Sequence, residues 1–310
     1  MTNESQRARL LLARQRISWP AAKAGYEALG RIRSKSVLID GFYVKVQYNP
    51  ARIISSGAVT DAQYVRSRPC FLCSANMSPE QEALPIYPGY TMLCNPYPIF
   101  PEHFTLPSLR HTEQRIDGTF ADFIRMARML SGFTLFYNGP RSGASAPDHL
   151  HFQAVTGLYM PVDNDALLYR EKPFAGDSRG TISLLAGYRR AGFVIEAETE
   201  ESCRTLFGHI YNVLPLPEGD AEPRMNIFCR YDANRWITTV MPRIQHRPRQ
   251  YYAEGSDHIL AAPGAADMGG VFITSLEEDY EKITPDILCD IYGQVAFDDA
   301  RLRILAQKIK

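Results

Sequence analysis

No charge of one sign prevails in this sequence of 310 residues, where 34 Lys and Arg balance 34 Asp and Glu. A general binder of nucleic acid needs a basic excess to neutralise many phosphates. An anionic ligand must therefore be held by a local set of donors. Long apolar runs are missing too. Leu10-Leu11-Leu12-Ala13 is shorter than the ~7–15 residues of a secretory h-region. The most apolar window, Ile259 to Ile273, is broken by Pro263, Asp267 and glycines before it reaches the ~20 residues of a membrane span. We expect a soluble, cytoplasmic protein that engages neither nucleic acid nor membrane. The sequence also lacks a second C-x-x-C, a G-x-S-x-G elbow around Ser142 or Ser145, and a carboxylate pair spaced for a catalytic magnesium or for glycosidase chemistry.

What is present is ordinary for a globular chain: 45% hydrophobic and 22% charged residues, which excludes disorder, collagen and coiled coil. At roughly 150 residues per domain the length allows two domains or one domain in two halves, with a soft boundary near 165–180. We therefore take 1–170 and 171–310 as the two parts. Arg7, Arg9, Arg14, Arg16, Lys23, Arg31, Arg33 and Lys35 face only Glu4 and Glu27 over the first 36 residues. A solvated amphipathic helix explains them better than a nucleic-acid arm.

The element signals mix strands and helices without regular βαβ alternation, which argues for an α+β fold. Residues 4–17 read as a helix, and 37–48 as strands turning at Asp40-Gly41. Residues 53–69 read as a loop. Two strands, broken by prolines at 96, 98 and 101, fit 90–106. The segment 118–136 has helical apolar spacing at Phe120, Phe123, Ile124, Ala127 and Leu130. Residues 159–190 look irregular. A strand over 193–197, a helix over about 200–213, a hairpin across Asp232-Ala233-Asn234-Arg235, a strand over 270–274 and helices from about 284 to 309 complete the reading.

His149-Leu150-His151-Phe152-Gln153 is the strongest chemical signal. On a strand, His149, His151 and Gln153 share one face. A neutral imidazole is already a nucleophile at neutral pH and needs no activating base. Gly139, Gly143 and nearby small residues let backbone N–H groups approach an anion. By spacing alone, paired histidines serve equally well as metal ligands or surface residues. Of six cysteines only Cys70 and Cys73 are close, as C-F-L-C, half of a tetrahedral metal site. Its remaining ligands must be histidines, with His103, His111 and His149 as candidates. Arg243 to Arg249, holding Arg247 and His246, clusters cations that can grip phosphate oxygens.

At these residues the sequence resembles the histidine-triad superfamily, in the branch of galactose-1-phosphate uridylyltransferase, diadenosine tetraphosphate phosphorylases and GDP-hexose phosphorylases. C-F-L-C-S-A-N-M is similar to the branch's zinc-binding C-x-x-C, L-C-N-P-Y-P-I-F-P-E-H-F to its N-x-[FY]-P strand, and Y-N-G-P-R-S-G-A-S-A-P-D-H-L-H-F-Q to its loop and H-x-H-x-Q motif. The likeness covers residues 68–156 well and 240–300 loosely. It implies a HIT-like fold, a mainly antiparallel sheet with flanking helices in two related halves, the second completing the substrate pocket. It also implies a nucleotidyltransferase or phosphorylase for a nucleotide sugar or dinucleoside polyphosphate, with phosphate or sugar phosphate as acceptor. His151 would be the nucleophile, and Gln153 would hold the phosphoryl oxygens. Asn95, Asn138, Gly143, Ser145 and Arg247 would contact nucleotide or phosphate. Cys70, Cys73, His111 and His149 would hold a structural zinc. His111 matches the third ligand's position better than His103 does. A homodimer is compatible with this reading. A histidine-triad hydrolase using water, and a nucleotide-binding protein without turnover, are the other classes. Asp148 stands where the uridylyltransferases have proline, so acceptor choice does not carry over.

Overall fold

The computed structural model of the chain describes residues 2–53 and 62–309. Helix α1 (Asn3–Ser18) starts at Thr2, whose side chain accepts from Ser5 N, and α2 (Pro20–Leu29) follows with proline in its first turn, where the missing N–H costs nothing. Ala8, Leu11, Leu12 and Gln15 face inward. Arg9 pairs with Glu102 and Arg14 with Glu82, so the basic N-terminal segment is docked on the body of the protein through acidic partners.

Strands β1 (Arg33–Ile39) and β2 (Phe42–Tyr48) form the expected hairpin, with φ of 47° at Asp40 and 93° at Gly41. The reading of 53–69 as loop is corrected in part: Ala62–Ser67 is a short helix, α3, while 54–61 lie outside the described residues. Strands β3 (Ala83–Tyr87), β4 (Tyr90–Cys94) and β5 (His103–Pro107) lead to α4 (Phe120–Met129), β6 (Phe133–Asn138) and β7 (His151–Thr156). The helical spacing of 118–136 therefore ends at Met129, because β6 is buried along its whole length and gives no alternation to mark a strand. The irregular reading of 159–190 is also corrected. It contains α5 (Val162–Leu168), β8 (Ala175–Asp177) and β9 (Gly180–Leu185). Then follow β10 (Gly192–Ala197), α6 (Glu200–Val213), β11 (Met225–Asp232), β12 (Arg235–Pro242), α7 (Ala265–Met268), β13 (Val271–Thr274), α8 (Glu277–Lys282), α9 (Pro285–Val295) and α10 (Asp299–Ala306).

Ten strands build one antiparallel sheet in the order β3-β4-β5-β7-β6-β11-β12-β10-β9-β8. The order hides a repeat. Three strands, a helix and two strands run β3 to β7, with β7 inserted between β5 and β6. The same plan runs β8 to β12, with β12 inserted between β10 and β11. The two halves meet where β6 pairs with β11 through Asn138↔Asn226 to Leu135↔Cys229, so the sheet continues across the boundary near residue 170. One face carries a core built with α1, α2, α4 and α6. The other packs against a small sheet, β1-β2-β13, with α7 and α9.

The repeat explains why there is one candidate site and not two. His151, Gln153 and Val155 alternate on β7 with Phe152 and Ala154, which face the first core. The corresponding face of β12 carries Ile237, Thr239 and Met241. Ile237 and Met241 are buried in the second core, and that face carries no histidine.

Candidate active site

The C-F-L-C pair, His111 and His149 come together. Their ligand atoms all lie within 4.8 Å of one another. Cys70 Sγ is 3.3 Å from His149 Nδ1, Cys73 Sγ is 3.2 Å from His111 Nδ1 and 3.6 Å from His149 Nδ1. A tetrahedral ion with Zn–S of ~2.3 Å and Zn–N of ~2.0–2.1 Å places sulfur and nitrogen about 3.5 Å apart, so the cluster can hold such an ion. The outer partners agree. His149 Nε2 lies 2.8 Å from the Ser108 carbonyl, which can only accept, so His149 offers its Nδ1 lone pair. Asp148 stands 3.7 Å from His111 Nε2 and pairs with Arg68 at 2.9 Å. Burial, the largest influence, raises the Cys70 thiol pKa, but the His149 contact, the Leu72 backbone hydrogen bond and the His149 charge together outweigh it and leave the thiol at about 6. His103, the other histidine candidate, is not in the cluster.

His149 precedes β7, in a bend, and turns to the cysteines. The expectation that all three motif residues share one strand face is therefore corrected: His151 and Gln153 share it, and His149 points to the metal cluster. That division lets one short motif serve two sites. His151 is buried, with its Nδ1 2.8 Å from the His149 carbonyl. A carbonyl has no proton to give, so Nδ1 carries the hydrogen and Nε2 keeps the lone pair. Burial pushes the His151 pKa down to about 4, the His149 carbonyl offsetting only part of it, so the imidazole is neutral at physiological pH. Gln114, a residue that the sequence gave no reason to single out, clamps this segment. Its Oε1 accepts from His151 N at 2.8 Å, and its Nε2 donates to the carbonyls of His151 and Asn138.

Gln153 Oε1 lies 2.7 Å from His103 Nε2. His103 is fully buried, its Nδ1 accepts from Ile99 N, and burial pushes its pKa down to about 3. It is neutral, with its single proton on Nε2, and it donates to Gln153. The Gln153 amide nitrogen is thereby left for a ligand.

His151, Gln153, Asn95, Asn138, Gly143, Ser145 and Arg247 all line one cavity of about 560 Å³, although they come from both halves of the chain. The same cavity is lined by Trp19, Met77 and Leu93, and by Arg52, Arg68 and His246; Trp19, Arg52 and Arg68 belong to none of the motifs. Asn95 Oδ1 accepts from Tyr97 N. Asn138 Oδ1 is occupied by Asn226 Nδ2 at 2.9 Å and Ala265 N at 2.7 Å, so Asn138 also ties the loop to the second half. Gly143 has φ of +100°, and a Cβ there would sit 2.4 Å from Gly264 Cα. Its smallness serves a loop–loop contact as well as the cavity wall.

The cationic segment 243–249 is corrected in detail. Arg243 is buried, and its guanidinium donates to Val295 O, Asn226 Oδ1, Pro263 O, Gln245 O and His246 O. It is a staple with no donor to spare for a ligand. Arg249 pairs with Asp290 at the surface. Only His246 and Arg247 reach the cavity. Among the described residues no helix is long and apolar enough to cross a membrane.

This architecture is the HIT-like fold. The yeast Ap4A phosphorylase Apa2 has it: the chain superimposes on that structure with a TM-score of 0.61 at 18% identity, covering 96% of this chain and 95% of the other. Structures of the yeast enzyme with Ap4A and with AMP give TM-scores of 0.60 at 17% and 0.59 at 18% identity, each covering 96% of this chain and 98% or 97% of the other. At such identities the likeness is one of fold. The profile of a family described as a domain of unknown function, DUF4922, matches residues 11–156, the half that holds the cysteine pair and His151. No curated protein matches the chain.

Proposed function

We propose that the chain is a nucleotidyltransferase of the phosphorylase type, acting on a dinucleoside polyphosphate or a nucleoside diphosphate-sugar through a nucleotidyl group carried on His151. The observation that carries this is His151 itself, a neutral imidazole whose Nδ1 proton is held by the His149 carbonyl and which lines the cavity beside Gln153. The yeast neighbours, crystallised with Ap4A and with AMP, support a nucleotide as ligand.

In the first displacement His151 Nε2 attacks the α-phosphorus, a nitrogen–phosphorus bond forms, and the phosphoanhydride bond breaks with its electron pair leaving on the departing phosphate. In the second, inorganic phosphate attacks the same phosphorus, a nucleoside diphosphate leaves, and His151 regains its lone pair. Covalent catalysis splits one difficult exchange into two. The His149 carbonyl stabilises the Nδ1–H of the charged intermediate, and Gln153 presents its amide to the phosphoryl oxygens. The leaving phosphate has a modest pKa, so positioning carries most of the rate. Zinc suits the two thiolates and two imidazoles of the metal cluster. Held by Cys70, Cys73, His111 and His149, it would tie the loop before β3 to the start of β7. Asn95, Asn138, Gly143, Ser145 and Arg247 would hold the nucleotide and its phosphates, with the second half closing the cavity.

The test uses GDP-, UDP- and ADP-sugars and diadenosine tetraphosphate. Without phosphate, the right donor should add one nucleoside monophosphate in mass, as an acid-labile adduct that phosphate discharges as nucleoside diphosphate. His151→Gly should abolish the adduct and keep the fold. Discharge by water in place of phosphate would make the protein a hydrolase, and turnover undiminished in His151→Gly would overturn the reading.

A further inference from the structure

The arginines around the cavity differ in what neutralises them. Arg68 has Asp148 at 2.9 Å, and Arg243 is saturated by five acceptors. Arg247 lies over the Tyr251 ring, 4.0 Å from its centroid. Among the described residues Arg52 has a single acceptor, the Tyr97 carbonyl at 2.7 Å, its Nε is sealed from solvent without a partner, and no carboxylate lies within 4.0 Å. The negative group nearest in effect is Asp267, whose two oxygens already accept from Gly264 N and Ile273 N. Burial accordingly pushes the Arg52 pKa down to about 10. A charge taken out of water without a counter-ion is costly, and the fold tolerates it here at the wall of a cavity.

Arg52 is also placed with purpose. The Tyr97 carbonyl it grips belongs to the segment whose Tyr97 N–H binds Asn95 and whose Ile99 N–H binds His103. Neighbouring side chains fix the same segment, Asn49 to the Pro98 carbonyl and Gln47 to the Ile99 carbonyl. The guanidinium thus sits on the frame that carries Asn95 and, through His103, Gln153, and Arg52, Asn95 and Gln153 all line the cavity with His151. Its charge reaches His103, whose protonation it disfavours.

Resting on the function proposed above, we infer that Arg52 is the docking residue for a second phosphate of the substrate, next to the one that His151 attacks, so that the site takes a chain of linked phosphates in preference to a single one. A guanidinium with only one donor taken by the described residues matches phosphate oxygens in geometry and charge, and the phosphate would supply its counter-ion.

Inorganic tripolyphosphate and orthophosphate separate the idea from catalysis, because neither can place a nucleotidyl group on His151. By calorimetry the metal-replete protein should bind tripolyphosphate at least about tenfold more tightly than orthophosphate. Arg52→Met, which keeps volume and removes charge, should lose most of that preference, with orthophosphate affinity changed less than about threefold. Arg52→Lys should retain part of it. Tripolyphosphate bound equally by parent and Arg52→Met overturns the inference. So does a parent without preference, or a parallel loss of both anions together with a lowered melting temperature, which marks a merely structural arginine. Should Arg52→Met not fold, Arg52→Lys decides: unchanged tripolyphosphate affinity overturns the inference, and a selective drop supports it. The two readings fail separately, since Arg52-dependent tripolyphosphate binding without any His151 adduct sinks only the proposed reaction.

Discussion

His103 Nε2 lies 2.7 Å from Gln153 Oε1 across the paired strands β5 and β7. This contact converts two neutral side chains into an oriented donor. Ile99 N–H fixes the protonation of the imidazole from one side, the imidazole fixes the amide, and the Gln153 NH₂ is left toward the cavity. His103 touches no reacting atom and acts by positioning.

The contact has a measurable consequence. His103→Leu leaves Ile99 N–H without its acceptor and lets the Gln153 amide turn, so kcat for the nucleotidyl transfer should fall by roughly tenfold or more while KM changes less. His103→Gln has an acceptor for Ile99 and a donor for Gln153, and it should restore much of the rate. A loss of equal size in both variants would mean that His103 serves only to pack the strand.

Metal removal gives a second expectation. If the ion ties the loop at Cys70 and Cys73 to the start of β7, the purified protein should carry about one zinc per chain. Cys73→Ser should then lower both zinc content and stability, by several kcal/mol, because binding free energy at a structural site is folding free energy. Metal analysis and thermal melting check this. An unchanged melting temperature in a zinc-free protein would remove the metal from the account.

How much of this was legible in the sequence follows from locality. Cys70 with Cys73, and His149, His151 and Gln153, stand close in the chain, so their spacing carried chemistry directly. The helix α6 was legible because it shows one buried and one solvated face, and the β11–β12 hairpin because its turn holds Asn234, a residue that tolerates the positive φ it adopts. Strands β6 and β9 were not, since they are buried on both faces and have no alternation. Gln114 and Arg52 belong to no motif, and their roles arise only when distant segments meet. His103 was visible as a histidine, but nothing local tells a metal ligand from a partner for Gln153. The two related halves were expected only through the resemblance, because β12 has apolar residues and threonine where β7 has the motif.

Gly143 yields a prediction that the sequence alone would have misjudged. A small residue in a phosphate loop suggests that a larger one obstructs ligand and spares the fold. With φ at +100° and Gly264 Cα 2.4 Å from the place of a Cβ, Gly143→Ala should also destabilise the protein, by about 1–3 kcal/mol. Urea unfolding of the two proteins compares this directly. Full stability with lost nucleotide binding would show that Gly264 yields readily and that only the cavity wall matters.

Glu222 carries the pH expectation. Its carboxyl is buried behind the loop at Gly139, and burial raises its pKa from 4.5 to about 7, even though the Tyr137 hydroxyl at 2.5 Å and Ile116 N at 2.8 Å favour the charged form. The native protein therefore keeps this proton up to about pH 7, whereas the unfolded chain releases it near its ordinary value. Between these limits the native state binds more protons than the unfolded state, so stability must fall as pH rises through the window. Below it the group is protonated in both states and its contribution is complete; above it the contribution is lost. For a group so buried the total is at most about 3 kcal/mol. Glu222→Gln is neutral at every pH, keeps an oxygen for Ile116 N–H and offers its NH₂ to the Tyr137 oxygen. Its urea-unfolding free energy should therefore fall less than the parent's between pH 5 and pH 7. Asp163 and Asp267, which burial raises to about 6, act in the same direction, so a residual slope below pH 6 should survive in the variant. Parallel curves for parent and variant would mean that Glu222 titrates alike in both states, and that Tyr137 and Ile116 bind a carboxylate whose burial costs the fold nothing.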